Sequence, residues 1–120
     1  MRTDAIAAIL ADLNGSSGDI EASAVVSRDG LMMASLLPNN IEEDRVAAMS
    51  AALLALGERT AKELDRGTLD QMLIHGGNGY VVVRDAGPEA VLTVLTKKEA
   101  KLGLVFLDVS RAAKELERLL

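Results

Sequence analysis

Residues 44–64, DRVAAMSAALLALGERTAKEL, decide how the rest of the chain is read. Val46, Met49, Leu53, Leu56, Thr60 and Leu64 recur at steps of three and four residues, the spacing that lines one stripe of an α-helix. Ala48, Ala51, Ala52 and Ala55 make a second stripe of small side chains, against which another backbone can come close. One buried face is what a helix needs to sit on its own sheet. A second apolar stripe predicts that this helix also meets a partner. Alanine, the best helix former, would serve propensity alone in the same positions.

Downstream, Asp65-Arg66-Gly67 closes the helix, and three strand-like runs follow at residues 69–75, 80–84 and 90–95. Their links, Gly76-Gly77-Asn78-Gly79 and Asp85-Ala86-Gly87-Pro88-Glu89, are short and turn-rich, as antiparallel neighbours require. Upstream, two apolar runs at 22–28 and 31–36 are joined by Asp29-Gly30. That dipeptide predicts a type I′ hairpin turn, with positive φ at both central residues. Pro38-Asn39-Asn40 then breaks the strand, and the capping-box spacing of Asn40 and Glu43 starts the long helix at Ile41. Ile6, Ile9, Leu10 and Leu13 place a first helix at about residues 3–13, ending in the polar loop 14–19. Thr96 and Glu99 repeat the capping-box spacing, and Leu102, Val105, Phe106, Val109, Ala112, Ala113, Leu116 and Leu119 trace a closing helix.

The predicted order is α-β-β-α-β-β-β-α over a single domain, residues 1–120. It implies an α/β (α+β) sandwich with a central five-stranded, mostly antiparallel sheet. The first and last helices share one face. The middle helix covers the other, and its outer stripe stays exposed in a monomer, as interaction surfaces do.

Composition narrows the function. Apolar residues are 49% of the chain, but Phe106 and Tyr80 are the only aromatics, so the core is aliphatic. A formal charge of −5 leaves no basic face to neutralise phosphates, which argues against nucleic acid. Without cysteine there are no disulfides, thiolate metal sites or Cys nucleophiles. No apolar run approaches the roughly 20 residues that span a bilayer. The start, MRTDAIAAILADL, carries two acids and reads as a helix rather than a signal peptide. A cytoplasmic protein without membrane insertion is expected.

Catalytic chemistry finds little to use. His75 is the only histidine, and metal sites need three or four convergent ligands, so it reads as a strand-end surface residue. No serine lies in G-x-S-x-G, and a lone imidazole makes a triad improbable. Gly76-Gly77-Asn78-Gly79 leads from strand to strand and lacks the Gly-Lys of a phosphate-binding loop, so it reads as a hairpin turn. Lys97, Lys98 and Lys101 gather before the last helix as a solvated turn, partly offset by Glu99. Arg28, Arg45, Arg59, Arg66 and Arg84 are all available to a partner enzyme, and nothing in the sequence singles one out. No catalytic residue, cofactor or metal is expected.

Four segments carry a family resemblance in their order and spacing: the Val25-Val26-Ser27-Arg28-Asp29-Gly30-Leu31 hairpin, the helix through Ala47-Ala48 and Ala51-Ala52-Leu53-Leu54, the Gly79-Tyr80-Val81-Val82-Val83-Arg84 strand, and Leu102-Gly103-Leu104-Val105. With these the chain resembles Roadblock-type proteins, which include dynein light chains and bacterial regulators of Ras-like GTPases. Lys101 departs from the small polar residue often found there, which bears on any partner contact at that point. The resemblance implies a profilin-like/Roadblock-like fold and a non-enzymatic homodimer that serves as a platform for a Ras-like small GTPase. It further implies that the middle helix and third strand meet their two-fold mates. The interface residues would be Ala48, Ala51, Ala52, Ala55 and Arg59 on the helix, with Leu69, Gln71, Leu73 and His75 on the strand. A structural adaptor without effect on GTP turnover is the alternative.

Overall fold

The runs 20–27 and 90–96 are mostly apolar on both alternating sets of positions, which a strand needs when both faces of its sheet are covered. They become the neighbouring inner strands of the computed structural model, which describes residues 2–120. Among the described residues the elements are α1 (Arg2–Gly15), β1 (Ile20–Ser27), β2 (Met32–Leu36), α2 (Glu43–Glu63), β3 (Gln71–Gly76), β4 (Gly79–Asp85), β5 (Ala90–Thr96) and α3 (Leu102–Leu119). This is the order expected. The sheet runs β2-β1-β5-β4-β3, every neighbouring pair is antiparallel, and β2 and β3 form its two edges.

Two apolar layers hold the sandwich. On one face Ile6, Leu10 and Leu13 of α1 and Val105, Val109 and Leu116 of α3 pack on Val25, Val82, Leu92 and Val94. On the other, α2 crosses the sheet. Its start lies over β1, with Val46 and Ala47 against Ala24 and Val26. Its middle lies over β4 and β5, with Leu54 against Val83 and Val91. Burial on this scale removes aliphatic surface from water at about 25 cal/mol per Å².

Turns and caps differ locally from the expectation. After β1, Gly30 N–H donates to Ser27 O at 3.0 Å and Ser27 N–H to Leu31 O at 2.8 Å. Gly30 has φ 90° whereas Asp29 stays at negative φ, so the link is a three-residue loop with glycine in the left-handed position, not a type I′ turn. α2 begins at Glu43, and its N-cap is Glu42 without a side-chain bond. Asn40 does not close a capping box, because the Glu43 carboxylate accepts the Ser35 hydroxyl instead. Thr96 is likewise occupied within the sheet, accepting from Tyr80 N–H at 3.3 Å and donating to Lys97 O at 2.9 Å.

The start of α3 is held from outside the helix. Asp19 Oδ2 accepts Lys101 N–H at 2.9 Å, and its Oδ1 pairs with Lys97 Nζ at 3.2 Å. The Lys101 backbone bond first, and then Lys97, holds the Asp19 carboxyl below the usual carboxylate range. Gly79 cannot be replaced without strain: a Cβ there would stand 2.0 Å from Thr96 O, at φ +149°.

Candidate interaction surface

Small residues on a helix let it lie close to whatever it packs on, and large ones are then left to point away. That is how α2 is phased. Val46, Ala47, Ser50, Leu54 and Gly57 face the sheet. Thr93 Oγ1 donates to Ser50 Oγ at 2.7 Å within this dry contact, which satisfies both hydroxyls where an unmade bond would cost about 1–3 kcal/mol. At Gly57 a Cβ would lie 2.4 Å from Met72 Sδ and 2.9 Å from Leu69 Cδ2, so the approach of α2 to the β3 side depends on glycine.

The stripe expected to face the core is therefore only partly inside. Val46 is buried and Leu53 half-buried. Met49, Leu56 and Leu64 are 57%, 60% and 65% exposed and do not face the sheet. Together with exposed Ala48, Ala52 and Ala55 they form one broad apolar outer face. An apolar surface of this kind on a small domain marks an interaction site.

That face runs on to the β3 edge. Strand registers of Gln71 with Arg84, Leu73 with Val82 and His75 with Tyr80 place Gln71, Leu73 and His75 on the α1/α3 side. Met72 and Ile74, opposite Val83 and Val81, lie on the α2 side. Leu73 and Ile74 are 44% and 39% exposed at the end of a sheet whose edge groups lack a neighbouring strand. Between α2 and this strand lies an open, mostly apolar groove of about 390 Å³, lined by Leu56, Gly57, Leu64, Leu69 and Met72 among others.

Of the nine residues expected at the seam, Ala48, Ala52, Ala55, Arg59, Leu73 and His75 are exposed, while Ala51, Leu69 and Gln71 are half-buried. All lie on α2, on β3 or in the segment leading into it. Met49, Leu56 and Ile74 belong to the same surface and were not among them. The signal was available in Ser50 and Gly57, whose small size marks the sheet-facing side of the helix.

Charged groups around the surface are largely paired. Arg59 and Arg45 are exposed and bonded along α2, to Glu63 and Glu42, each at 3.2 Å. Arg28 is committed elsewhere: it bonds both Glu58 oxygens at 3.1 Å, the Asp85 carboxylate, and Gly87 O at 3.1 Å, tying the end of β1 to α2 and to the β4–β5 turn. Arg84 donates to Gln71 Oε1 at 3.5 Å, and its Nε is buried without a partner. The His75 and Tyr80 rings stack at 4.4 Å. Among the described residues there is no cluster of three His, Cys, Asp or Glu able to hold a metal ion, and no helix long and apolar enough to cross a membrane.

Such a surface, apolar and open, has the character of a protein-interaction surface. The Roadblock/LC7 domain model matches residues 6–96, and the chain belongs to that family. An uncharacterized protein of Methanocaldococcus jannaschii is 41% identical over 109 residues, covering 91% of this chain and 94% of the relative. MglB of Myxococcus xanthus superposes with a TM-score of 0.89 at 22% identity, covering 98% of this chain and 88% of that chain. An MglB structure with a tetrameric arrangement gives 0.88 at 24% identity, covering 98% and 89%. These structures share the fold, which extends to profilin-like chains.

Proposed function

We propose that this protein is a homodimeric, non-enzymatic platform that binds a Ras-like small GTPase and modulates its nucleotide state. The observation that carries the reading is the exposed apolar face of α2 at Met49, Leu56 and Leu64, joined by the groove over Leu69 and Met72 to the β3 edge, where Ile74 is also exposed. Family membership supports it, as does the tetrameric arrangement of one fold relative. A two-fold contact is the commonest way for a chain to cover such a surface with itself. The effect on the partner is conformational: a rigid dimer holds the GTPase switch regions in one state, so that rate changes come from positioning the partner's own groups.

Two measurements test this. Ala52→Glu places a charge on an exposed position of the subunit, so the fold is expected to survive, with unchanged circular dichroism. If position 52 is buried in the dimer, the unpaired charge costs about 3–5 kcal/mol of association and light scattering shows monomers. A wild-type protein that is itself monomeric overturns the homodimer. For the partner, a small P-loop GTPase recovered from the native cell is expected to bind differently in its GTP and GDP forms. Equal binding, with unchanged hydrolysis and nucleotide affinity, favours the structural adaptor instead.

A further inference from the structure

Charge is not spread evenly along this chain. Residues 97–120 hold six of the thirteen Lys and Arg but only four of the eighteen Asp and Glu, so a basic segment sits within an acidic protein. Within α3 the basic groups are gathered further, into one line. Leu104, Leu107, Arg111, Lys114 and Arg118 recur at steps of three and four residues, and all are exposed. At about 3.6 residues per turn they share about 80° of the circumference and run for about 21 Å. They point directly away from Val105, Val109, Ala112 and Leu116, which are buried. No acid lies on the line. Asp108 and Glu115 turn to the α1 side, where they line a shallow cleft with Ile9, Asp12 and the near edge of Arg111. Glu117 lies on the other flank, against Gly87.

A helix face made only for solvent interleaves the two signs, as α2 does by pairing Arg45 with Glu42 and Arg59 with Glu63 at 3.2 Å. The α3 line does the reverse. Arg111, Lys114 and Arg118 are like charges at three- and four-residue steps, which oppose the helix. Arg111 reaches Asp108 only at 3.6 Å, Arg118 Nε donates to Lys114 O at 3.3 Å, and Lys114 Nζ has no ion-pair partner among the described residues. The helix dipole favours cations only within the last turn, so it accounts for Arg118 and not for Arg111 or Lys114. Leu104 and Leu107, 56% and 58% exposed, precede them on the same line.

We infer that this line is a second docking surface, and that it receives an acidic amphipathic helix of a partner protein. Three-and-four spacing is what one helix offers another. The partner's apolar residues cover Leu104 and Leu107, and its carboxylates meet Arg111, Lys114 and Arg118. The two helices run antiparallel. The partner's acids then lie in its N-terminal half, where the dipole favours them, beside the C-terminal half of α3. A narrow partner suits the charge better than a flat one. Asp108, Glu115 and Glu117 flank the line within a Debye length of about 8–10 Å, so a lipid surface would meet both signs, whereas a helix lying along the line meets cations alone. α3 and α2 cover opposite faces of the sheet, so a partner on α3 leaves the α2 face free.

The probe is a synthetic alanine-rich peptide of about 20 residues, carrying three glutamates and then two leucines on the same spacing. Titrated into isotope-labelled protein, it is expected to shift the backbone amides of residues 104–118 saturably, with a Kd below about 1 mM that weakens as salt is raised. Charge reversal at two exposed positions, Lys114→Glu with Arg118→Glu, is expected to leave circular dichroism unchanged and to weaken binding at least about tenfold. No saturable shift up to about 1 mM peptide overturns the docking surface. Equal binding of a peptide of the same composition, with its glutamates scattered around the helix, overturns it as well, because charge alone then suffices. Sedimentation with phosphatidylserine vesicles, without peptide-induced shifts in α3, replaces the helix by a membrane. Ala52→Glu is expected to bind the peptide as the wild type does, and loss of binding there moves the site to α2. Peptide binding by a monomeric wild type supports this surface and overturns only the homodimer, so the two readings fail separately.

Discussion

α3 and α2 lie on opposite faces of one sheet, yet only one of them declares which way it faces. In α3 the apolar stripe alternates with Arg111, Lys114 and Arg118, and Val105, Val109, Ala112, Ala113 and Leu116 are buried as the spacing predicts. In α2 apolar residues surround most of the circumference. There the small residues Ala47, Ser50 and Gly57 turned inward, and Met49 and Leu56 turned out. Periodicity shows that a helix exists, but its phase is readable only when polar residues mark the other side. A helix with two faces to cover erases that contrast.

The sharpest way to separate the two faces of α2 is to shorten a side chain on each. Leu54 of α2 is buried against Val83 and Val91, and Leu116 of α3 is buried in the core on the opposite face. Either changed to Ala is expected to cost about 2–5 kcal/mol in urea unfolding, at any protein concentration. Leu56→Ala, two residues along α2, should leave the subunit within about 0.5 kcal/mol at concentrations too low for association. Its effect should appear as weaker dimerisation. Equal costs for Leu54→Ala and Leu56→Ala would mean that the helix is phased differently.

Glycines give a finer contrast between the same helices. A Cβ at Gly103, in the first turn of α3, meets nothing within 4 Å, whereas one at Gly57 collides with Met72 and Leu69. Gly103→Ala is expected to stabilise by about 0.4–1 kcal/mol through helix propensity and lost unfolded-state freedom. Gly57→Ala should destabilise by about 1–3 kcal/mol from overpacking, despite the same gain in propensity. Melting temperatures moving in opposite directions confirm the close approach of α2; movement in the same direction refutes it.

The smallest expected effect concerns how the helices begin. α3 is started by Asp19 from a distant loop, α2 by the local contact of Glu43 with Ser35. Asp19 titrates below its unfolded value, so its contribution is present above the unfolded carboxylate range near pH 3.9 and is lost as pH falls through the lower folded value. Acid unfolding of Asp19→Asn should accordingly show a shallower loss of stability below about pH 4 than the wild type. Identical acid limbs would assign that loss to other carboxylates.

Element order was legible because each run carried its own punctuation. Asp29-Gly30, Gly76 to Gly79 and Pro38-Asn39-Asn40 bounded the strands where turns are made, and the element bounds lie within two or three residues of those expected, except that α3 starts at Leu102, five residues after the start a Thr96 cap would give. Caps were less legible. Asn40 and Thr96 had the correct spacing from Glu43 and Glu99, but Ser35 and Tyr80, contributed by strands, competed for the same groups. The interaction surface was readable as an idea, since α2 had more apolar width than one sheet could use. Its membership was not, because Leu54 and Leu56 are the same residue type two positions apart, and only packing assigns one inside and the other out.

The sequence by itself determined which segments are helices and strands, that the core is aliphatic, and that α2 has two faces to cover. Those properties follow from side-chain spacing and local backbone preference, which are written residue by residue. Tertiary structure alone decided the strand order β2-β1-β5-β4-β3, which leaves β3 at an edge, and the rotation of α2 about its own axis. Both depend on contacts between distant residues, such as Gly57 on Met72 and Thr93 on Ser50, whose energies exist only after the chain has closed on itself.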